Sequence, residues 1–318
     1  MMNLLVTGGS GFIGSNFIEM VLKTKRDHIS KVVNLDVLTY AANLDNTKEF
    51  ETDEKYFFEK VDLRDYEDLL GVFDRHNITH VVHFAAESHV DNSIEDPDAF
   101  IDSNIVGTFN LLKAARYHKV KKFHHVSTDE VYGDLGDEGK FSETTPYNPH
   151  NPYSASKAAS DFLVKSYFHT YKLPITISNC SNNYGPKQHA EKFIPTVINA
   201  ILNKRKIPLY GQGTNVRDWI YVMDHCEGVW EVLKNGNLGE TYCIGANCEK
   251  RNIEIIETIC NLLKVNIEVN IEYVKDRTGH DYRYAIDNTK ITETLDWGPK
   301  TSFLQGMKDT IRWYHERH

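Results

Sequence analysis

No stretch of this chain stays apolar for anything like the roughly 20 residues that a membrane-spanning helix needs, so a place in the bilayer is not expected. Cysteine is scarce. Cys180, Cys226, Cys243, Cys248 and Cys260 are the only five, and no two of them form a CxxC pair. An odd set of scattered thiols argues against a disulfide framework and fits a reducing compartment. Positive charge is also short: 36 Lys and Arg stand against 45 Asp and Glu, a formal net charge of -9. That sign is wrong for a nucleic-acid or anionic-membrane partner. Met1–Val6 offers neither a basic segment nor a small-residue cleavage site, so no signal peptide is expected and the cytoplasm is the expected location. Internal repeats, low-complexity tracts and flexible linkers are missing too.

What is present is an ordinary globular composition, 41% hydrophobic and 25% charged, in 318 residues, enough for one large or two smaller domains. Short β-rich runs alternate with helical stretches through the first half. Leu4–Val6, Val32–Leu35, Val81–Ala85, Phe123–Ser127 and Ile175–Ser178 read as strands. Gly14–Leu22, Ile101–Arg116 and Pro152–Tyr171 read as helices. That rhythm predicts an α/β fold with a parallel sheet covered on both faces. After Asn179 turns become frequent, around helical pieces at Lys192–Asn203 and Asn252–Lys264. The expected organisation is a sheet domain over 1–180, with later sheet elements around 217–245 returning to it. A smaller, mixed and interleaved domain then spans 181–318.

Gly8-Gly9-Ser10-Gly11-Phe12-Ile13-Gly14 lies between the first strand and the first helix. Glycines there allow a tight turn and a close backbone approach to a pyrophosphate, whose charge then faces the free amides of the helix. Asp36 ends the second strand, where a carboxylate can accept hydrogen bonds from an adenosine ribose and repel a 2'-phosphate. No arginine follows closely, which favours NAD over NADP. Asp62 is placed to meet the adenine edge.

Two further segments carry chemistry. Tyr153 and Lys157 are four apart, so on a helix they share a face. A phenol with a pKa of about 10 must fall by roughly 3 pH units to act as a base near neutrality. A neighbouring ammonium pushes it that way. Asp129 and Glu130 follow Ser127-Thr128 at a strand end. On a regular strand adjacent side chains point to opposite faces, so both acids reach one ligand only if the backbone turns. Gly133 is consistent with such a turn. The 15 histidines include the adjacent His124 and His125, but with no HExxH or cysteine cluster no metal site is expected.

These motifs resemble the extended short-chain dehydrogenase/reductase superfamily and, within it, the dTDP-glucose 4,6-dehydratases. The likeness runs through Asp36–Asn43, Ala85–Asp91, Ser127–Gly133, Asn179–Pro186, Arg217–Trp219 and Asp276–Asp281, nearly the whole chain. It departs at Ala42, at Asn92 and at Lys187–Ala190, where the family often has glycine, arginine and a more aromatic loop. The resemblance implies a Rossmann-type doubly wound sheet with a smaller substrate-binding domain, NAD as cofactor, dTDP-glucose as substrate and a homodimer. It implies catalytic roles for Thr128, Asp129, Glu130, Tyr153 and Lys157. Cofactor contacts are implied at Gly8, Gly11, Phe12, Ile13, Gly14, Asp36, Leu38, Thr39, Asp62, Leu63, Ala85, Ala86, Ser88, Ser103 and Asn183, besides Tyr153 and Lys157. Substrate contacts are implied at His89, Thr128, Asn182, Glu191, Lys192, Pro208, Tyr210, Arg217, Asn252, Arg277 and His280. A UDP-sugar epimerase, decarboxylase or dehydratase of the same fold stays open, because thymine and uracil differ by a methyl group worth about 1–3 kcal/mol. So does a non-catalytic NAD sensor, which would have little use for the acid pair.

Overall fold

The structure is a computed structural model that describes residues 1–267, 270–275 and 280–317. Six strands lie within the first 180 residues: β1 (Met2–Thr7), β2 (Ile29–Leu35), β3 (Tyr56–Glu59), β4 (His80–His83), β5 (Lys122–Thr128) and β6 (Ile175–Cys180). Six more follow: β7 (Asn182–Tyr184), β8 (Ile207–Tyr210), β9 (Val216–Tyr221), β10 (Thr241–Ile244), β11 (Glu249–Arg251) and β12 (Ile271–Val274). The main sheet has seven strands in the order β10-β6-β5-β4-β1-β2-β3, and every neighbouring pair is parallel. This is the doubly wound arrangement, whose order reverses between β1 and β4 and opens a crevice at the strands' carboxyl ends.

Period-2 alternation divides each strand between two cores. Leu4 and Val6 enter one with Phe17, Ile18 and Trp230, while Leu5 enters the other with Val33, Phe73, Leu111 and Val164. Helices Phe12–Thr24 and Val222–Asn235 cover the first face; Tyr66–His76, Thr108–Tyr117 and Pro152–Tyr171 cover the second. A third core lies among β7, β8, β9 and the helices Phe193–Leu202, Asn252–Leu263 and Phe303–His315. Of the stretch 217–245, β10 joins the main sheet, whereas β9 pairs with β7 and β11.

Local chemistry sets the elements that carry the candidate residues. Pro152 opens its helix, and Asn151 and Ser154 cap it reciprocally, Ser154 N donating to Asn151 Oδ1 at 2.9 Å. Tyr153, Lys157 and Asp161 follow at four-residue spacing on the buried side. The strand expected over Val81–Ala85 ends at His83, because Ala85 leaves the sheet to skirt Gly8. A Cβ on Gly8 would lie 2.8 Å from the Ala85 backbone. The helix expected over Ile101–Arg116 begins with a π-helical segment, Ile101–Gly107. Its Asn104 accepts from Glu87 N at 2.8 Å and donates to Ser156 Oγ at 2.8 Å, tying the loop after β4 to the helix bearing Tyr153.

Candidate active site

A cavity of about 340 Å³ lies across the carboxyl ends of β1, β2, β4, β5 and β6. Its floor is the glycine loop. A Cβ on Gly14 would sit 2.2 Å from Gly8 O, so only glycine lets the first turn of the helix close onto the loop. Gly11 is the N-cap of helix Phe12–Thr24, with no side chain in the cap and no acid in the first turn. The helix end therefore keeps its positive character for an anion. At the end of β2, Asp36 is buried and accepts from Ser10 N at 3.0 Å and Leu38 N at 2.8 Å. Burial pushes its carboxyl up, against these two amides. The cradle and the fixed carboxylate fit an adenine dinucleotide, with pyrophosphate over Gly11–Gly14 and ribose at Asp36. Asp62 lines the same end, gripped by Arg64 at 2.6 Å, which holds its carboxyl below the usual range.

Of the residues expected at a cofactor, all but Leu38 line the cavity. Leu38 instead takes a left-handed backbone, φ 64°, and acts through its amide on Asp36. Its contribution is made by the main chain, one step removed from the cavity wall.

At the other end, β5 stops at Thr128 and the chain turns at once into a 3-10 segment, Asp129–Tyr132. Thr128 Oγ1 caps this turn by accepting from Glu130 N at 3.2 Å. Gly133 then leaves with φ 85° under Asn148 O, where a Cβ would lie 2.5 Å away. Thr128, Asp129 and Glu130 all line the cavity with Tyr153 and Lys157. Asp129 is almost fully buried, and among the described residues its Oδ2 has no hydrogen-bond partner. Burial first, then Glu130 and Asp218, raise its carboxyl well above the ordinary range, while Arg217 opposes them. An acid raised in this way is favoured in its protonated form.

Tyr153 is buried too, and in the protein without a bound cofactor its phenol is raised rather than lowered. Burial and the charge of Glu130 raise it well above 10, and the Thr128 hydroxyl is the group that lowers it. Lys157 Nζ donates to Val126 O at 2.9 Å and is itself lowered by burial. In the protein alone, desolvation and the acid pair outweigh the ammonium, so the phenolate depends on further positive charge from what the cavity binds.

Among the expected substrate residues, Thr128, Asn182, Glu191 and Lys192 line the cavity. Lys192 Nζ reaches Ser88 O at 2.8 Å across its mouth, and Tyr40 OH donates to Glu191 at 3.4 Å. His89 is outside the lining and N-caps the helix Val90–Glu95. Pro208 and Tyr210 lie on β8, Arg217 on β9, Asn252 at the start of its helix and His280 beyond β12, all outside that lining. Arg217 is nevertheless close enough for its charge to act on Asp129, and its guanidinium donates to Asp281 O at 2.9 Å. Arg277 lies outside the described residues. The sequence reading did not single out Glu87, Gln188, His189 and Cys180, which also line the cavity. Cys180 was findable as a strand end, since ligands in such sheets sit at the carboxyl ends of strands. The other three lie in loops with no comparable signal.

The family model described as GDP-mannose 4,6 dehydratase matches residues 5–310. The dTDP-glucose 4,6-dehydratase of Neisseria gonorrhoeae is 47% identical over 98% of this chain and 95% of its own. Among solved structures, DesIV, a dTDP-glucose 4,6-dehydratase from Streptomyces venezuelae with NAD bound, is similar at a TM-score of 0.95 and 42% identity, covering 98% of this chain and 97% of that one. A UDP-glucose 4-epimerase from Thermotoga maritima has a TM-score of 0.91 at 26% identity, covering 99% of each chain. The fold is thus shared between the two chemistries, and the residues in the cavity must separate them.

The raised Asp129 carboxyl has a consequence for stability. Unfolded, the group loses its proton above about pH 3.9; folded, its carboxyl is raised. The native state therefore binds the extra proton from there up to its own raised value, and stability falls as pH rises through that window. Asp129→Asn should raise the melting temperature near pH 7 by about 2 °C or more, with the gain fading toward about pH 4. A variant less stable than the parent near neutrality would contradict the assignment.

Proposed function

The chain belongs to the dTDP-glucose 4,6-dehydratases, an NAD-dependent lyase family, and from that membership we propose the role of each group in its cavity. The reaction converts dTDP-glucose to dTDP-4-keto-6-deoxyglucose and water. When bound, NAD supplies reversible hydride acceptance, and Gly8–Gly14, Asp36 and Lys157 would hold it. Tyr153 takes the proton of the C4 hydroxyl, and the Thr128 hydroxyl steadies the oxygen as a carbonyl forms. That carbonyl makes the C5 proton acidic. Glu130, the less buried of the two acids, removes it, while Asp129 gives its proton to the departing C6 hydroxyl. The C5–H and C6–O bonds break, and water leaves. Glu130 returns a proton to C5 as C6 is reduced, so the cofactor ends as it began. Arg217 and Arg277 are proposed to grip the diphosphate, with Tyr210 against the base.

One observation carries the elimination step: the turn after Thr128 brings two adjacent carboxyls into the cavity beside Tyr153, and burial raises the first of them well above the usual carboxyl range. A positioned general acid contributes roughly 10²–10⁴-fold. Such a pair has no work in an epimerase, where oxidation and re-reduction both occur at C4.

A homodimer in the cytoplasm completes the proposal. Phe162 is 58% exposed and Phe109 is 41% exposed, and with Ile101, Val106, Tyr117 and Tyr171 they leave apolar surface on two neighbouring helices. This suits pairing with the same face of a second copy. All five cysteines are free thiols, which suits a reducing compartment; recovery of the native protein only from an extracytoplasmic fraction would contradict that location. The N-terminal 180 residues are proposed to carry the cofactor and the remainder mainly the substrate.

NMR of the protein with dTDP-glucose should show a new C6 methyl signal and a C4 ketone with no net NADH. UDP-glucose should turn over more slowly. A galactose product would point to the epimerase, and no turnover with NAD bound would favour the sensor. In sedimentation the protein should run at twice the chain mass, and Phe162→Glu should shift it toward monomer. A monomeric parent protein would overturn the dimer.

A further inference from the structure

One turn beyond Lys157, on the same face of its helix, lies a carboxylate with no part in the chemistry above. Asp161 is fully buried. Its Oδ2 accepts from Ser127 Oγ at 2.9 Å and Tyr147 OH at 2.8 Å, with Asn179 Nδ2 at 3.4 Å. Its Oδ1 lies 3.2 Å from His125 Nε2. A carboxylate taken out of water ordinarily neutralises unless it is paired. This one is held below the usual range by His125, Lys157 and Tyr147, against burial.

The partners are more telling than the burial. Ser127 stands between Val126, whose carbonyl holds Lys157 Nζ, and Thr128. Asn179 Nδ2 also donates to Thr128 O at 3.1 Å. Asp161 therefore grips, from behind, the three-residue segment that seats the ammonium and the catalytic threonine.

We propose that Asp161 is a positioning residue for the C4 oxidation: its carboxylate is the counter-charge that keeps the buried Lys157 side chain an ammonium, and its hydrogen bonds fix the end of β5 that holds it.

The charged and titratable groups around Lys157 support the assignment. Tyr153 and Asp161 face it from its own helix, His125 from β5, His83 from β4 and Cys180 from β6. His83 and His125 are kept neutral by burial. Burial pushes the Cys180 thiol up to about 12, so it is uncharged near neutrality. Burial lowers Lys157, and Asp161 is the largest influence in the opposite direction. Lys157 and Asp161 thus stand one helical turn apart in the same buried layer, and Asp161 is the main influence favouring the ammonium.

The inference rests on the dehydratase reading and is tested separately from it. Asp161→Asn keeps an acceptor for Ser127 and Tyr147 and an amide for His125 but removes the charge. Tyr147→Phe removes one hydrogen bond and keeps the charge. With the NAD-loaded full-length proteins, kcat and KM for dTDP-glucose are followed from about pH 6 to about pH 10. Without its counter-charge the ammonium deprotonates at lower pH. The alkaline limb of kcat/KM for Asp161→Asn should therefore move down by about one pH unit or more. KM near pH 7 should stay unchanged, and Tyr147→Phe should follow the parent curve. Asp161→Ser repeats the charge loss if the asparagine variant does not fold. A charge-removed variant whose profile merely runs parallel below the parent's would overturn the inference and reduce Asp161 to a structural role. A parent protein that makes no keto sugar would instead sink the dehydratase reading.

Discussion

The site depends on where β5 stops. An extended strand sends adjacent side chains to opposite faces, so Asp129 and Glu130 could not serve one ligand had the strand continued. The Thr128 hydroxyl capping Glu130 N and the left-handed Gly133 under Asn148 end it at once. The turn does two things together: it aims both carboxyls into the cavity and buries the first. In the proposed mechanism, burial beside a second acid suits Asp129 to donate a proton and leaves the base's part to Glu130. Two residues of one chemical type would thus take opposite tasks through a change in backbone geometry.

That arrangement works against the oxidation that must come first. Glu130 and Asp129 both disfavour a phenolate at Tyr153, and each tenfold loss of phenolate costs about 1.4 kcal/mol. Lys157, Thr128 and the positive end of the bound cofactor must offset them. In the proposed arrangement Asp161, one helical turn on, favours that ammonium. The layers would then be linked: a buried anion supports a buried cation, which favours a phenolate that the elimination acids oppose.

Much of this was legible in the chain because it is local. The glycine spacing, the Tyr153/Lys157 interval and the Asp129-Glu130 pair each state a geometry within a few residues, and the structure brings their cavity-lining members together. Helix Pro152–Tyr171 announced its own start through Pro152 and the Asn151 cap. Legibility failed where the contribution comes from residues far apart in sequence. Asp161 is silent in the sequence because its meaning lies in Ser127, Tyr147 and Asn179, on three separate segments. The raised phenol of Tyr153 is equally hidden, because the interval to Lys157 shows one neighbouring charge and says nothing of desolvation. Helices Tyr66–His76 and Val222–Asn235 are not singled out in the sequence reading, although buried positions such as Leu69, Val72, Phe73 and His76 recur at helical spacing.

The division of labour between the two acids is tested most directly by incubating Asp129→Asn and Glu130→Gln with dTDP-glucose in heavy water and reading the sugar by NMR. Asp129→Asn should exchange the C5 hydrogen for deuterium without forming a C6 methyl, because the base survives and the acid does not. Glu130→Gln should do neither. Exchange in Glu130→Gln but not in Asp129→Asn would reverse the roles, and methyl formation at the parent's rate in both would remove the pair from the chemistry.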